Sequence, residues 1–288
     1  MRIVGKKESP DRAKSTTMAT RTMTPGFGSL FNLREIWRRR ELLWVLTLRE
    51  IRIRYTQSVL GIAWAVLQPL ALMLMFTLIF SILLDVPSEG VPYPVFSYSA
   101  LTFWIFFSGS LTRAIPSLDA NQALIKKIYF PREFFPLSSV FSAIFDLAIA
   151  FVIFLIIMVY YHTPFTLNML YVVPLVVIQT IFTIGVCFFA SALNVYYRDV
   201  KYALPLIVQL WMYATPIIYP MSSIPQRFWK LYLLNPMTGL IESYRNVLVK
   251  GSEPQLFYIA VAALGAIFLF VLGYIYFKRI EMSFADVI

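Results

Sequence analysis

VLGIAWAVLQPLALMLMFTLIFSILL, Val59 to Leu84, runs for 26 residues without an ionisable side chain. A bilayer core of ~30 Å takes about 20 residues of apolar helix, so the stretch reads as a membrane span. Comparable runs recur downstream, and the expected spans are about 59–84, 95–116, 136–161, 167–195, 202–221 and 256–277. Composition agrees, since 59% of the 288 residues are apolar and 14% charged, where soluble domains carry about a quarter charged residues. The spacing thus predicts an all-α integral membrane protein with six transmembrane helices. Pro69, Pro174, Pro205 and Pro216 fall inside these runs, which a membrane bundle tolerates better than a soluble helix.

Basic residues orient the chain. With the amino terminus inside, the outer segments hold only Arg227, Lys230, Arg245 and Lys250 of the 25 Lys and Arg. By the positive-inside rule both termini are expected in the cytoplasm. Residues 1–30 contain no apolar core of the signal-peptide kind and read as a flexible cytoplasmic tail; residues 31–288 read as a single membrane domain. Two segments inside that domain are not spans. In 33–57, Leu33, Ile36, Trp37, Trp44, Leu48, Ile51 and Tyr55 recur at helical spacing opposite Arg34, Arg38, Arg49 and Arg52. That is the pattern of an amphipathic helix at the cytoplasmic lipid surface, or of one whose basic face is merely solvated. The second, Met221 to Pro254, is too short and too charged to cross; Asn235-Pro236 divides it into two short helices. These either dip into the outer leaflet as a lid or cap the bundle from outside.

The inventory of reactive groups excludes most enzyme chemistry. There is one histidine, His162, and one cysteine, Cys187, and no G-x-x-x-x-G-K-[ST] nucleotide loop. No catalytic, cofactor-binding or metal-binding residue is expected. Asp146 is the one carboxylate inside a span, where a lone charge is costly unless paired. Arg113 and Asp146 lie at matching distances from the centre of the intervening loop, so they are expected to pair; a proton-relay acid is the alternative. Aromatic residues make up 17% of the chain. Tyr93, Tyr98, Tyr160, Tyr161, Trp44 and Trp229 suit interfacial anchoring. Trp64, Phe103, Trp104, Phe106, Trp211 and Tyr213 lie deeper and are candidates either for sugar stacking along a channel or for ordinary packing.

Five stretches, in order, carry a resemblance: RYTQSVLGIAWAVLQPL (Arg54 to Leu70), NQALIKKIYFPREFFPLSSV (Asn121 to Val140), NVYYRDVKY (Asn194 to Tyr202), TPIIYP (Thr215 to Pro220) and NPMTGLIESYRNVL (Asn235 to Leu248). Together they resemble the transmembrane permease subunit of polysaccharide-exporting ABC transporters, which move O-antigen, teichoic acid and capsule. The resemblance covers about residues 31–280. It implies a homodimer of this chain, two copies of a separate ATP-binding cassette subunit carrying ATP and magnesium, an interface helix before the first span, a cytoplasmic coupling helix at Ser117 to Tyr129, and outer re-entrant gate helices at 224–249.

In this pattern Leu124 and Ile125 present an apolar knob to the ATPase. Lys126, Lys127, Tyr129, Arg132 and Glu133 complete the contact, with Arg198 and Asp199 as a second one. At the gate, Asn235 and Pro236 break the helix and Glu242 with Arg245, one turn apart, form a latch. The function so implied is export of a lipid-linked polysaccharide, O-antigen ahead of teichoic acid and capsule, across the bacterial inner membrane, with membrane lipid around it, no nucleic acid, and no ATPase site of its own. An ABC exporter of small drugs or lipids, an integral membrane glycosyltransferase and an ion-driven transporter are the alternatives. The glycosyltransferase needs an acidic D-x-D pair that is absent, and the ion-driven transporter needs more than one intramembrane acid.

Overall fold

The computed structural model describes residues 37–56, 58–127 and 131–281, with Lys127 as backbone only. The tail at 1–30, the first residues of the interface helix and Tyr129 lie outside the described residues. Everything described falls in one compact unit, and it is built from helices. In chain order these are α1 (Arg40–Thr56), α2 (Ala63–Phe76, continued by the π-helix Thr77–Leu83), α3 (Tyr93–Ala114), α4 (Ser117–Ala120), α5 (Gln122–Lys127) and α6 (Phe134–Tyr160). Then come α7 (Val172–Tyr196, preceded by the 3-10 turn Leu167–Tyr171), α8 (Val200–Ala214), α9 (Trp229–Leu233), α10 (Pro236–Leu248) and α11 (Leu256–Glu281).

Five helices among the described residues are long and apolar enough to cross a membrane: Ala63–Leu83, Tyr93–Ala114, Phe134–Tyr160, Leu167–Tyr196 and Leu256–Glu281. The segment expected to span at 202–221 differs. Its helix, α8, has 15 residues and stops at Ala214, which at 1.5 Å per residue covers about 22 Å, short of the bilayer core. The cause is local. Thr215 precedes Pro216 and is extended, with ψ 139°, because a residue before proline is pushed out of the helical region. Residues 215–220 continue as irregular chain.

α3 is the centre of the bundle: 16 of its 22 residues are buried, and it packs on α2, α6, α7, α8 and α10. Tyr93 and Tyr98 on it are 3% and 0% exposed, so these two are core residues rather than interfacial anchors. The closest crossing is between α7 and α11. A Cβ placed on Gly185 would lie 2.6 Å from Phe270 Cα, and one on Gly273 would strike the carbonyl of Gly185. Two backbones meet with no side chain between them, as small residues allow in membrane bundles, where dispersion must replace the hydrophobic drive.

α10 is not a peripheral cap. Every residue from Met237 to Leu248 is buried, against α11, α3 and α7. Its first residue, Pro236, packs on Gly265, nine residues into α11 and so about 13 Å along that helix. The half-helix therefore inserts into the bundle to roughly mid-depth, and the chain returns to the same end at Gly251 before α11 begins.

Because the atoms facing Gly273 are backbone and cannot rotate away, Gly273→Ala should destabilise the detergent-solubilised protein by about 3 kcal/mol. Thermal unfolding should show it as a drop of several degrees, while Leu264→Ala on the exposed face of the same helix leaves the transition in place.

Candidate functional site

Three polar constellations hold the bundle together at the positions singled out from the sequence. The first surrounds Asp146 on α6. Arg113 Nη2, from the last turn of α3, lies 3.5 Å from Asp146 Oδ2. Two further partners come from α1: Arg54 forms an ion pair with the same oxygen, and the Tyr55 hydroxyl donates to Oδ1. Arg54 also donates to Ser142 Oγ at 2.9 Å. One carboxylate thus ties α1, α3 and α6 together. Arg54 and Tyr55 were missed as partners because only the fold brings α1 beside α6, some ninety residues away.

The same geometry changes the reading of α1. Arg38, just before it, and Arg40, Arg49 and Arg52 on it are exposed, but two of its arginines also bind the bundle. Arg49 donates to Asn121 Oδ1 at 3.0 Å, Arg54 reaches Asp146, and Leu46 and Thr47 are buried. Trp44, Val45 and Ile53 point outward. The helix is held to the bundle by charge and presents rings and aliphatic groups away from it.

The second constellation is the segment expected to couple. It folds as two short turns, α4 and α5, fixed at three points. Asn121 donates to the Ser117 carbonyl at 2.8 Å while accepting from Arg49. Asn194, at the end of α7, donates to Asp119 at 2.8 Å and accepts from the Lys201 backbone N–H at 3.1 Å. Leu118 and Ile125 enter a cluster with Leu46, Phe134, Phe188, Tyr274 and Phe277.

Several expected contact residues are consequently turned inward. Ile125 is 7% exposed and belongs to that cluster, with Leu124 packed half-buried beside it, so the apolar knob is largely spent inside the chain. Glu133 is 1% exposed and pairs with Lys278 of α11 at 2.8 Å. Burial first, and then the nearby Glu281, raise its carboxyl above the usual range, against the pull of Lys278. Arg132 donates to the Glu281 carbonyl, and its backbone N–H lies 3.2 Å from Glu281 Oε1. Arg132 and Glu133 therefore weld the loop exit to the last helix. Facing outward are Ala120, Ala123 and Lys126, together with Arg198 and Asp199 at the head of α8. Asn121 and Asn194 open two of the stretches quoted above and Arg49 belongs to the basic face of α1, but nothing in the sequence shows that they meet α4 and one another's helices.

The third constellation is the break after α8. With Pro216 and Pro220 in TPIIYP, the carbonyls of this irregular stretch have no helical partner. Arg245, 1% exposed, supplies one. Its guanidinium donates to the carbonyls of Pro216 and Ile217, each at 2.5 Å, and to that of Tyr219 at 3.3 Å, and lies 3.8 Å from the Phe96 ring centroid. Tyr93 Oη donates to the Ile218 carbonyl at 2.8 Å. Asn235 caps α10 by accepting from the Met237 N–H at 3.1 Å and donates to Thr215 Oγ1 at 2.9 Å.

Arg245 and Glu242 thus do not pair as a latch. Glu242 instead meets Lys250 at 3.1 Å, and Lys250 meets Glu89 at 2.9 Å. Burial disfavours the charged Lys250, but Glu242 and Glu89 outweigh it and hold its pKa above the ordinary value. Glu89–Lys250–Glu242 forms a strap that joins the loop before α3 to the end of α10.

The candidate channel aromatics divide. Phe103 is fully buried and stacks on Tyr244 with centroids 3.5 Å apart. Gln179 closes that contact, donating to the Phe103 carbonyl at 2.8 Å and accepting from Tyr244 Oη at 2.9 Å. Trp104 and Phe106 are 3% and 2% exposed, and Trp104 packs edge-on against Trp211 at 6.3 Å. Phe103, Trp104 and Phe106 are core residues, because the helix they occupy is central. Trp64 and Tyr213 are 54% and 47% exposed.

Asp146→Asn should leave Arg54 and Arg113 facing each other without their shared counter-charge, costing about 2 kcal/mol given partial solvation. Backbone amides of Arg40–Thr56 should then exchange hydrogen faster, and Asp146→Glu should restore much of the protection. Arg245→Leu strands three buried carbonyls and should cost about 3 kcal/mol or more, read as loss of folded protein in a detergent stability assay.

Comparison with known proteins fits this architecture. The family model described as ABC-2 type transporter matches residues 41–249. An O-antigen export system permease protein RfbA from Klebsiella pneumoniae is 34% identical over 250 residues, 86% of this chain and 95% of that protein. A protein of the same description from Myxococcus xanthus is 29% identical over 261 residues, 88% and 98% of the two chains. Polysialic acid transport protein KpsM of Escherichia coli is 25% identical over 214 residues, 72% of this chain and 80% of that one. With matched residues running from α1 to the end of α10, the chain belongs to the ABC-2 type transporter family, as one of its multi-pass membrane permeases.

Proposed function

We propose that this chain is the permease subunit of an ATP-driven exporter that moves a lipid-linked polysaccharide, O-antigen foremost, out across the bacterial inner membrane. The observation that carries this is the near-full-length similarity to O-antigen export permeases. The arrangement of the site is what such a role requires. ATP and magnesium belong to a separate ATP-binding subunit, two copies of which serve a homodimer of this chain, with both termini of each permease in the cytoplasm.

The mechanism follows from stiffness. A partner that changes shape with nucleotide shifts the spans only if its contact surface is rigid, since work is transmitted by differential interaction with two states. The α4–α5 segment is anchored to α1 by Arg49, to α7 by Asn194, and through Arg132 and Glu133 to α11. A push on its outward face at Ala120, Ala123 and Lys126 reaches three helices at once. Lys126, Lys127 and Arg198 supply charge to the partner groove, and the buried Ile125 supplies the seat.

α8 has one buried residue, Val208, and exposes Tyr202, Leu206, Leu210 and Tyr213. A second copy facing α8 and the exposed side of α2 encloses a passage lined by Trp64, Tyr202 and Tyr213, whose rings offer stacking faces to sugar units. The strap Glu89–Lys250–Glu242 holds the outer end.

In vesicles containing the permease and its ATP-binding subunit, Lys126→Glu combined with Lys127→Glu should reduce export and permease-stimulated ATP hydrolysis by tenfold or more while membrane insertion stays normal. Full export by that double variant would remove the coupling role from this segment.

A further inference from the structure

Two buried polar atoms on α10 have no hydrogen-bond partner among the described residues, Glu242 Oε2 and Arg245 Nε. One is an acceptor and the other a donor, and their residues stand one turn apart, a spacing that puts Cβ atoms ~5–6 Å from each other on a helix. Each side chain is engaged elsewhere through its remaining atoms. Glu242 Oε1 holds Lys250 at 3.1 Å, and the Arg245 Nη atoms hold the carbonyls of Pro216, Ile217 and Tyr219. Even so, among the charges around Arg245 the Glu242 carboxylate attracts it most and Glu89 next. α10 therefore carries a carboxylate with one bound cation, a second cation a turn away, and an oxygen still to be satisfied.

The two cations differ in what each needs in order to let go. Lys250 has another carboxylate, Glu89, at 2.9 Å, and a third of its side chain is exposed, so it can leave Glu242 and stay paired and hydrated. Glu242, with 10% of its side chain exposed, cannot be left uncovered, because a buried charge stripped of its partner is strongly disfavoured. Arg245 can take the place of Lys250 once the carbonyls it serves find other donors, and water supplies them if it enters. Those carbonyls begin three residues beyond Tyr213, at the end of the helix assigned above to the passage wall. A closed, dry passage needs Arg245 there; a wet one does not.

We propose that Glu242 is the pivot of a two-state outer gate. At rest it binds Lys250 while Arg245 binds the carbonyls of 216–219. In the conducting state it binds Arg245, Lys250 withdraws to Glu89, and the carbonyls turn to water. One exchange on α10 thus frees the loop before α3 and the end of α8 together. Neither state buries a charge alone, so the two arrangements can lie close enough in free energy for the partner subunit to shift between them. The inference rests on the reading of α8 as the wall of a passage.

The test breaks the Glu242–Lys250 pair from each side in turn. The permease and its ATP-binding subunit are placed in vesicles, and potassium leak without nucleotide and polysaccharide export with ATP are both measured. Lys250→Met leaves Glu242 to Arg245 and should raise the leak at least tenfold. Glu242→Gln leaves Arg245 on the carbonyls and should keep the leak at the wild-type level while export falls at least tenfold. Combining the two substitutions should return the leak to the wild-type level. Lys250→Gln takes the place of the methionine variant if that one is not recovered folded.

A passive tie would leak whichever partner is removed. Equal leak in the two single variants, no added leak in Lys250→Met, or a double variant that leaks as much as Lys250→Met would overturn the exchange. Absence of export by the wild-type complex would instead fault the transport reading, and the leak of the variants would still decide the exchange.

Discussion

Inside a bilayer no water is at hand to satisfy a stray donor, acceptor or charge, so each must find its partner within the protein. That constraint organises this molecule. The carbonyls released where α8 breaks at Thr215-Pro216 draw in Arg245 from a half-helix that inserts to meet them. The single carboxylate of α6 draws in Arg113 from α3 and Arg54 from α1. Gln179 closes the stacked pair Phe103 and Tyr244. In each case a polar side chain on one element fixes the position of another, with a geometric precision that apolar packing among similar aliphatic residues would not supply.

The consequence for function is a division into a stiff end and a jointed end. Where α1, α4, α5 and the ends of α7 and α11 meet, apolar burial and ion pairs coincide: Leu46, Leu118 and Ile125 share one cluster with Phe188, Tyr274 and Phe277, bordered by Lys278 with Glu133 and Glu281. A load applied there spreads through the bundle. At the opposite end the elements are shorter and joined by a strap of charged side chains, with Lys250 shared between Glu89 and Glu242. The pairs converge on Lys250, which water still reaches although Glu242 is buried, and partly solvated ion pairs are weaker than dry backbone packing, so the strap is expected to yield before the α7–α11 crossing does. Motion is thus expected at the strapped end when the welded end is driven.

Sequence reasoning reached the helical class and five of the long helices because twenty uncharged residues in a row admit few other structures. It also paired Arg113 with Asp146 by placing both at similar depth. It failed where a residue's role depends on which neighbour it meets. Arg245 and Glu242 sit one turn apart on one helix, so a pair seemed natural; the irregular carbonyls across the bundle outcompete that contact. For Phe103, Trp104 and Phe106 composition left channel lining and ordinary packing both open; α3 is surrounded on nearly all sides, which decides for packing, and no single-segment pattern reveals how many neighbours a helix has.

By itself the sequence determined the medium and five of the long apolar helices, through hydropathy and length, and the proline sites at the end of α8 and the start of α10, through local backbone sterics. The tertiary structure alone decided the meaning of the charges. Arg54 joins Asp146, Asn121 joins Arg49, and Arg245 joins three carbonyls only after helices distant in sequence have packed. The free energy of a buried charge depends on what lies within a few ångströms of it, and that distance does not exist until the chain is folded.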